Sequence, residues 1–157
     1  MIQAVRNSIS TSPTEDLLTL LKRALFAWLI ADGDMHLKNI AVLKTALPGQ
    51  KAFQSIRMAP IYDLVSTVVF PNLQNDTMAI KLNGKANRIK RRDFMTVAAT
   101  MGLRATDAEN LIEETLIKLK QALPGTALPD GIDYPDQAKK LIEEMLQICD
   151  ARIEEFD

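Results

Sequence analysis

Two acids, the only histidine, a lysine and an asparagine fall within eight consecutive positions, Asp32-Gly-Asp-Met-His-Leu-Lys-Asn39, and the apolar run Ile40-Ala-Val-Leu43 follows. Polar side chains crowded onto a loop between rigid elements are where chemistry is usually carried. Asp34 and Asn39 stand five apart, the D-x-x-x-x-N interval of phosphoryl-transfer loops. There the acid accepts the proton of an attacking hydroxyl and the asparagine amide oxygen helps to hold magnesium. Both are hard oxygen donors, suited to a hard cation that keeps part of its water. On spacing alone a plain turn is the simpler reading, because Asp and Asn are favoured there for local backbone hydrogen bonds.

A second stretch changes that balance. Met58-Ala-Pro-Ile-Tyr-Asp-Leu-Val-Ser66 places Asp63 behind a hydrophobic pair. A phosphotransfer centre needs a second acid to bind the metal that bridges the nucleotide phosphates. The residues between read as a hairpin: a strand over 40–44, a turn at Leu47-Pro-Gly-Gln50 and a return strand over 52–58. Asp34, Asn39 and Asp63 are therefore expected to converge, with Asp63 otherwise a cap before Leu64. Asp32, seven residues from Asn39, reads as a turn former or a support. With no second histidine and no cysteine nearby, His36 is not a zinc ligand; it either bonds a neighbouring carbonyl or carboxylate or touches phosphate. Lys38 is either solvated or a phosphate contact.

Gly33-Asp-Met-His-Leu-Lys-Asn39 followed by Met58-Ala-Pro-Ile-Tyr-Asp-Leu-Val-Ser-Thr67 resembles the C-terminal lobe of HipA-type serine/threonine kinases, the toxins of bacterial toxin–antitoxin pairs. The likeness runs from about Asp16 to about Gly102, including Ile80-Lys-Leu-Asn-Gly84. It implies that Asp34 is the catalytic base, that Asn39 and Asp63 hold magnesium, and that His36 and Lys38 lie near the transferred phosphate, with ATP as cosubstrate. It also implies a protein substrate such as an aminoacyl-tRNA synthetase or another translation factor, and assembly with a DNA-binding antitoxin on operator DNA. The basic cluster Lys85, Arg88, Lys90, Arg91 and Arg92 is either a solvated turn or a surface for that DNA or an acidic partner. Two alternatives stand beside this. Gly33, Asp34, His36 and Asn39 also fit the G-D-x-H-x-x-N loop of aminoglycoside kinases, although Tyr62-Asp-Leu-Val-Ser66 is closer to the HipA form. A non-catalytic helical module that docks an antitoxin or DNA is the other.

The elements that would position these residues are mainly helical. Ser12-Pro-Thr-Glu15 reads as a capped helix start. From it Leu17, Leu18, Leu20, Leu21, Ala24, Leu25, Trp28 and Leu29 follow at helical spacing, apolar on most sides, as a helix at the centre of the core would be. Gly33 supplies freedom for a sharp turn. Residues 64–70 are strand-like or a short helix, and Thr77 to Leu82 is a second strand candidate ending at Asn83-Gly84. Helices are expected from Arg92 to Gly102, from a capping box at Thr106-Asp-Ala-Glu109 to about Ala122, and from about Pro135 onward. The fold class is α+β, mainly helical: a protein-kinase-like C-terminal lobe with one or two small β-hairpins beside the catalytic loop. It forms a single domain over 1–157, with a frayed lead-in at 1–11, a catalytic core over 12–102 and a helical tail over 103–157.

Composition sets the outer limits. The chain has 157 residues, 47% of them apolar, and a net charge of −1. That is enough apolar matter for one core, and the balance gives no reason to expect a polyanion or an anionic membrane as main partner. The single cysteine, Cys149, excludes an internal disulfide, fits a reducing cytoplasm and reads as a buried inert thiol. No apolar run approaches the ~20 residues of a membrane span. None of the six glycines stands in a G-x-G-x-x-G or Walker arrangement. The expectation is thus a C-terminal lobe alone, weakly active or inactive without a nucleotide-clasping N-lobe supplied in cis or in trans.

Overall fold

Helix α2 (Pro13–Leu29) is the hub. Its Leu17, Leu20, Leu21, Ala24, Leu25, Ala27, Trp28 and Leu29 are all buried, and it packs against three later helices and one strand. The computed structural model describes residues 2–6 and 10–157. A single helical turn, α1 (Ile2–Ala4), comes first. The lead-in packs onto the body there: Val5 is buried and Arg6 donates to the carbonyl of Met101. Residues 1 and 7–9 of that stretch lie outside the described residues.

The start of α2 departs from the expected capping box. Ser12 makes no side-chain cap bond; its N–H donates to Ser10 Oγ (2.9 Å). Asp16 rather than Glu15 is the acid that matters. Buried, it accepts from Ser10 Oγ (2.5 Å), Arg57 Nε (3.2 Å) and the Met58 N–H (3.1 Å). Those bonds dock the hairpin of β1 (Val42–Thr45) and β2 (Ser55–Met58) onto the first turn of α2. The strands are antiparallel, Val42 opposite Met58 and Thr45 opposite Ser55, both shorter than the sequence pattern suggested.

Thr77 to Leu82 does not form a strand. The Asn83-Gly84 turn is real, with both residues at positive φ (49° and 77°) as a two-residue hairpin turn requires. Its arms share one bridge, Leu82 with Lys85, and one further bond from the Met78 N–H to Ala86 O (3.0 Å). Residues 64–70 resolve into a short 3-10 turn, Thr67–Val69.

Three helices complete the body: α3 (Arg91–Thr100), α4 (Ala105–Ala122) and α5 (Asp136–Glu154). Gly102, at φ 69°, ends α3, its N–H and that of Leu103 returning to Ala99 and Ala98 carbonyls. The capping box expected at Thr106 is absent, because α4 begins two residues earlier with Arg104 as cap. Ile112, Leu116 and Leu119 face inward as their spacing predicts, and Leu111 is half-buried. The tail closes the core: Cys149, Ile153 and Phe156 are buried, and the Phe156 ring meets Phe94 at 5.5 Å between centroids, tilted 56°, a favoured aromatic geometry. Among the described residues no helix is long and apolar enough to cross a membrane.

Candidate functional site

The loop begins where α2 ends, and that ending is sharper than the glycine suggested. Ala31 takes the left-handed conformation (φ 60°). Its N–H donates to Trp28 O (3.2 Å), and that of Asp32 to Ala27 O (2.8 Å), the paired bonds of a Schellman close. An alanine there costs about 1 kcal/mol, so the surroundings must hold it. Thr67 does: its N–H donates to Ala31 O (3.1 Å), and its hydroxyl accepts from the Gly33 N–H (3.0 Å). Gly33 is needed for space rather than for turning. A Cβ on it would lie 2.1 Å from a carboxylate oxygen of Asp76 and 2.6 Å from Thr67 Oγ1.

Two further bonds zip the loop to the segment after β2. The Tyr62 hydroxyl donates to Lys38 O (2.7 Å) and the Ala59 N–H to Ala41 O (2.9 Å). At their centre lies Asn39, buried on the 3-10 turn Leu37–Asn39. Its Nδ2 donates to Asp63 Oδ2 (3.1 Å) and lies 3.3 Å from the Asp63 carbonyl. Asp63 stands at φ 56°. Non-glycine residues in that region cluster at functional sites.

The five sequence candidates thus separate. Asn39 and Asp63 are in contact. Asp34 is exposed and is not among the residues lining the small pocket that those two share. Lys38 is exposed. His36 is half-buried, with Nδ1 inside the protein and no hydrogen-bond partner among the described residues, so that nitrogen lacks the carbonyl or carboxylate expected for a structural ring. Of the basic cluster, Lys85 is taken up by Asp93 (2.8 Å) and Arg91 by Glu113 (2.5 Å) and Asp157. Arg88 and Arg92 are exposed.

Two more residues line the same pocket as Asn39 and Asp63: Arg23, which the pattern did not single out, and Asp32, which its interval marked as a turn former or a support. Arg23 is buried on α2 and donates to Ala59 O, while its Nη1 has no partner among the described residues. A cation at an apolar helical position was the signal that could have found it. Asp32 is 1% exposed; one oxygen accepts from the Asp34 N–H (3.0 Å) and the other is unpartnered. Burial, and after it the neighbouring charge of Asp34, pushes the Asp32 carboxyl up from its ordinary value despite its backbone bonds.

The donor set suits a hard divalent cation. Asp63 offers a carboxylate, and a half-turn of the Asn39 amide exchanges its nitrogen for its oxygen with little change of shape. Among the described residues no three His, Cys, Asp or Glu side chains gather as a self-sufficient metal cage. Two protein oxygens completed by water and phosphate oxygens is the habit of magnesium.

A mainly helical body with one small antiparallel hairpin beside an Asp/Asn loop defines a kinase-like C-terminal lobe. The family model of the HipA-like C-terminal domain matches residues 1–123, and the chain belongs to that family. It is 31% identical over 126 residues to the protein named "Putative kinase Y4mE" of Sinorhizobium fredii, a match covering 76% of this chain and 28% of that protein. Its fold is similar to a chain in the Shewanella oneidensis MR-1 toxin–antitoxin complex of HipA, HipB and operator DNA. There the TM-score is 0.70 at 18% identity, over 92% of this chain and 32% of that one. The chain therefore spans less than a third of the length of either protein it matches.

Proposed function

We propose that this chain is the catalytic lobe of a HipA-like serine/threonine kinase, transferring phosphate from magnesium–ATP to a protein hydroxyl. The observation that carries the reading is the 3.1 Å contact of the Asn39 amide with the Asp63 carboxylate, made by two segments that meet only through the fold. In it Asn39 and Asp63 hold magnesium, which neutralises charge on the phosphate oxygens. The Asp34 carboxylate, on the exposed side of the same turn, takes the proton of the attacking hydroxyl. Lys38 and His36, on the same loop, contact the transferred phosphate in this reading. Asp32 positions rather than reacts, since its oxygen fixes the Asp34 backbone. Leu37, Ile61 and Tyr62 remain exposed on the two segments that form the site, apolar surface suited to cover by a nucleotide-clasping lobe in cis or in trans. A DNA-binding antitoxin, operator DNA and a translation-factor substrate belong to the same reading, by analogy with the HipA–HipB–DNA complex.

Thermal unfolding with millimolar magnesium–ATP tests it. The midpoint should rise with nucleotide concentration, because a ligand that binds only the folded state stabilises by mass action. Asp63→Asn should abolish the rise and Asp34→Asn should keep it. No shift, or one indifferent to Asp63→Asn, would sink the reading. Transfer of labelled phosphate by the chain alone should be weak or nil; robust transfer lost in Asp34→Asn would show that this lobe suffices.

A further inference from the structure

The cations of residues 85–92 do not form one surface. With Lys85 and Arg91 consumed by carboxylates, Arg88 and Lys90 instead line a recess of about 210 Å³ that also takes Arg152 from α5. Trp28 and Ile89 contribute apolar wall and Glu155 is the one acid. Among the described residues neither Arg88 nor Arg152 forms a salt bridge. We propose that this recess, between the end of α2, the entry to α3 and the last turn of α5, binds the terminal phosphoryl group of a small phosphorylated ligand.

Arg152 is set for such a role. Its guanidinium carbon lies 4.1 Å from the centroid of the Trp28 ring, and Nη1 donates to Trp28 O. The plane is fixed by stacking while the described hydrogen bonds engage only one of its N–H groups, and a flat, fixed fork is the geometry that matches phosphoryl oxygens. Lys90 Nζ donates to the Glu155 carbonyl and to a main-chain oxygen of Asp157, which orients the ammonium. Arg88 stands at φ 50°, braced by its N–H to Asn87 Oδ1 (2.8 Å). Left-handed non-glycine residues are held this way mainly at turns and ligand sites.

Shape decides between kinds of phosphate. Duplex DNA presents its phosphodiesters along a convex rod, which an inward recess meets poorly, whereas a terminal phosphoryl group enters end-on. The recess shares no lining residue with the Asn39–Asp63 pocket, so it stands or falls apart from the kinase reading.

Trp28 is the only tryptophan, and Arg152 stacks on it. Inorganic phosphate and phenyl phosphate titrated into the full chain at constant ionic strength should change its emission saturably, while chloride should not. Calorimetry in parallel reads binding whether or not the indole responds. Arg88→Ala should weaken binding about tenfold, the loss of one charge-assisted hydrogen bond; Arg152→Lys should weaken it while keeping the charge. Arg92→Ala, exposed and outside the recess, should leave it unchanged. Absence of saturable binding, or equal weakening by Arg88→Ala and Arg92→Ala, would overturn the proposal. So would a short DNA duplex that binds and that phosphate does not displace.

Discussion

Asp32 is the residue whose burial most limits the loop. Burial favours the neutral form of its carboxyl, so ionisation works against the fold. Its stabilising contribution is whole below the ordinary aspartate range and is lost as pH rises through the raised folded value. Asp32→Asn keeps an oxygen for the Asp34 N–H and removes the buried charge. It should raise the unfolding midpoint at pH 8 by roughly 2–4 °C, the equivalent of about 1 kcal/mol, and the gain should fade toward pH 4. A difference that stays constant across pH would show that the charge is not what costs. The interval to Asn39 separated Asp34 from Asp32 but did not say which of them is buried. Which one enters the interior depends on the left-handed turn at Ala31, and an alanine gives no sign of it. Asn39 and Asp63 were legible because each sits in a motif; their contact needed the hairpin to bring the second motif back.

Between elements, a single buried carboxylate ties the Asn83-Gly84 turn to α3. Asp93 accepts from Lys85 Nζ (2.8 Å), Asn83 Nδ2 (3.0 Å) and the Lys90 N–H (3.0 Å). Burial alone would raise its pKa, but these three donors outweigh it and hold the carboxyl at about 2. A depressed acid contributes stability above its unfolded value, and that contribution drains away as pH falls from about 4 toward 2. Asp93→Ala, which removes these three hydrogen bonds, should cost about 2 kcal/mol in denaturant unfolding at pH 7, and the deficit should narrow near pH 2.5. An equal deficit at both would mean that packing, not charge, explains it. Helix positions were readable from apolar spacing. The starts at Pro13, Arg91 and Asp136 fell within a residue of their expected places; the capping bonds did not, because Ser12 and Thr106 carry capping residue types while the bonds that form run through Ser10, Asp16 and Arg104. The second hairpin announced its turn but not its arms, since one bridge and one further backbone bond leave no strand.

The molecule as a whole is organised as layers around α2, with α3, α4 and α5 on it and the β1–β2 hairpin latched to its first turn. Because the tail supplies part of the interior, Phe156→Ala should act as a core truncation. A loss of about 3–5 kcal/mol is expected for a buried phenylalanine, or roughly 10 °C in midpoint, even though it is the penultimate residue. A loss within the range of an ordinary surface change would show that the interior closes without it.

The family match and the core stop at different places. The match runs to residue 123, yet the oily centre is sealed from behind by Cys149, Ile153 and Phe156. A clone trimmed at residue 123 would carry Trp28 and Phe94 with one flank bare, and would be sticky before it was ever assayed.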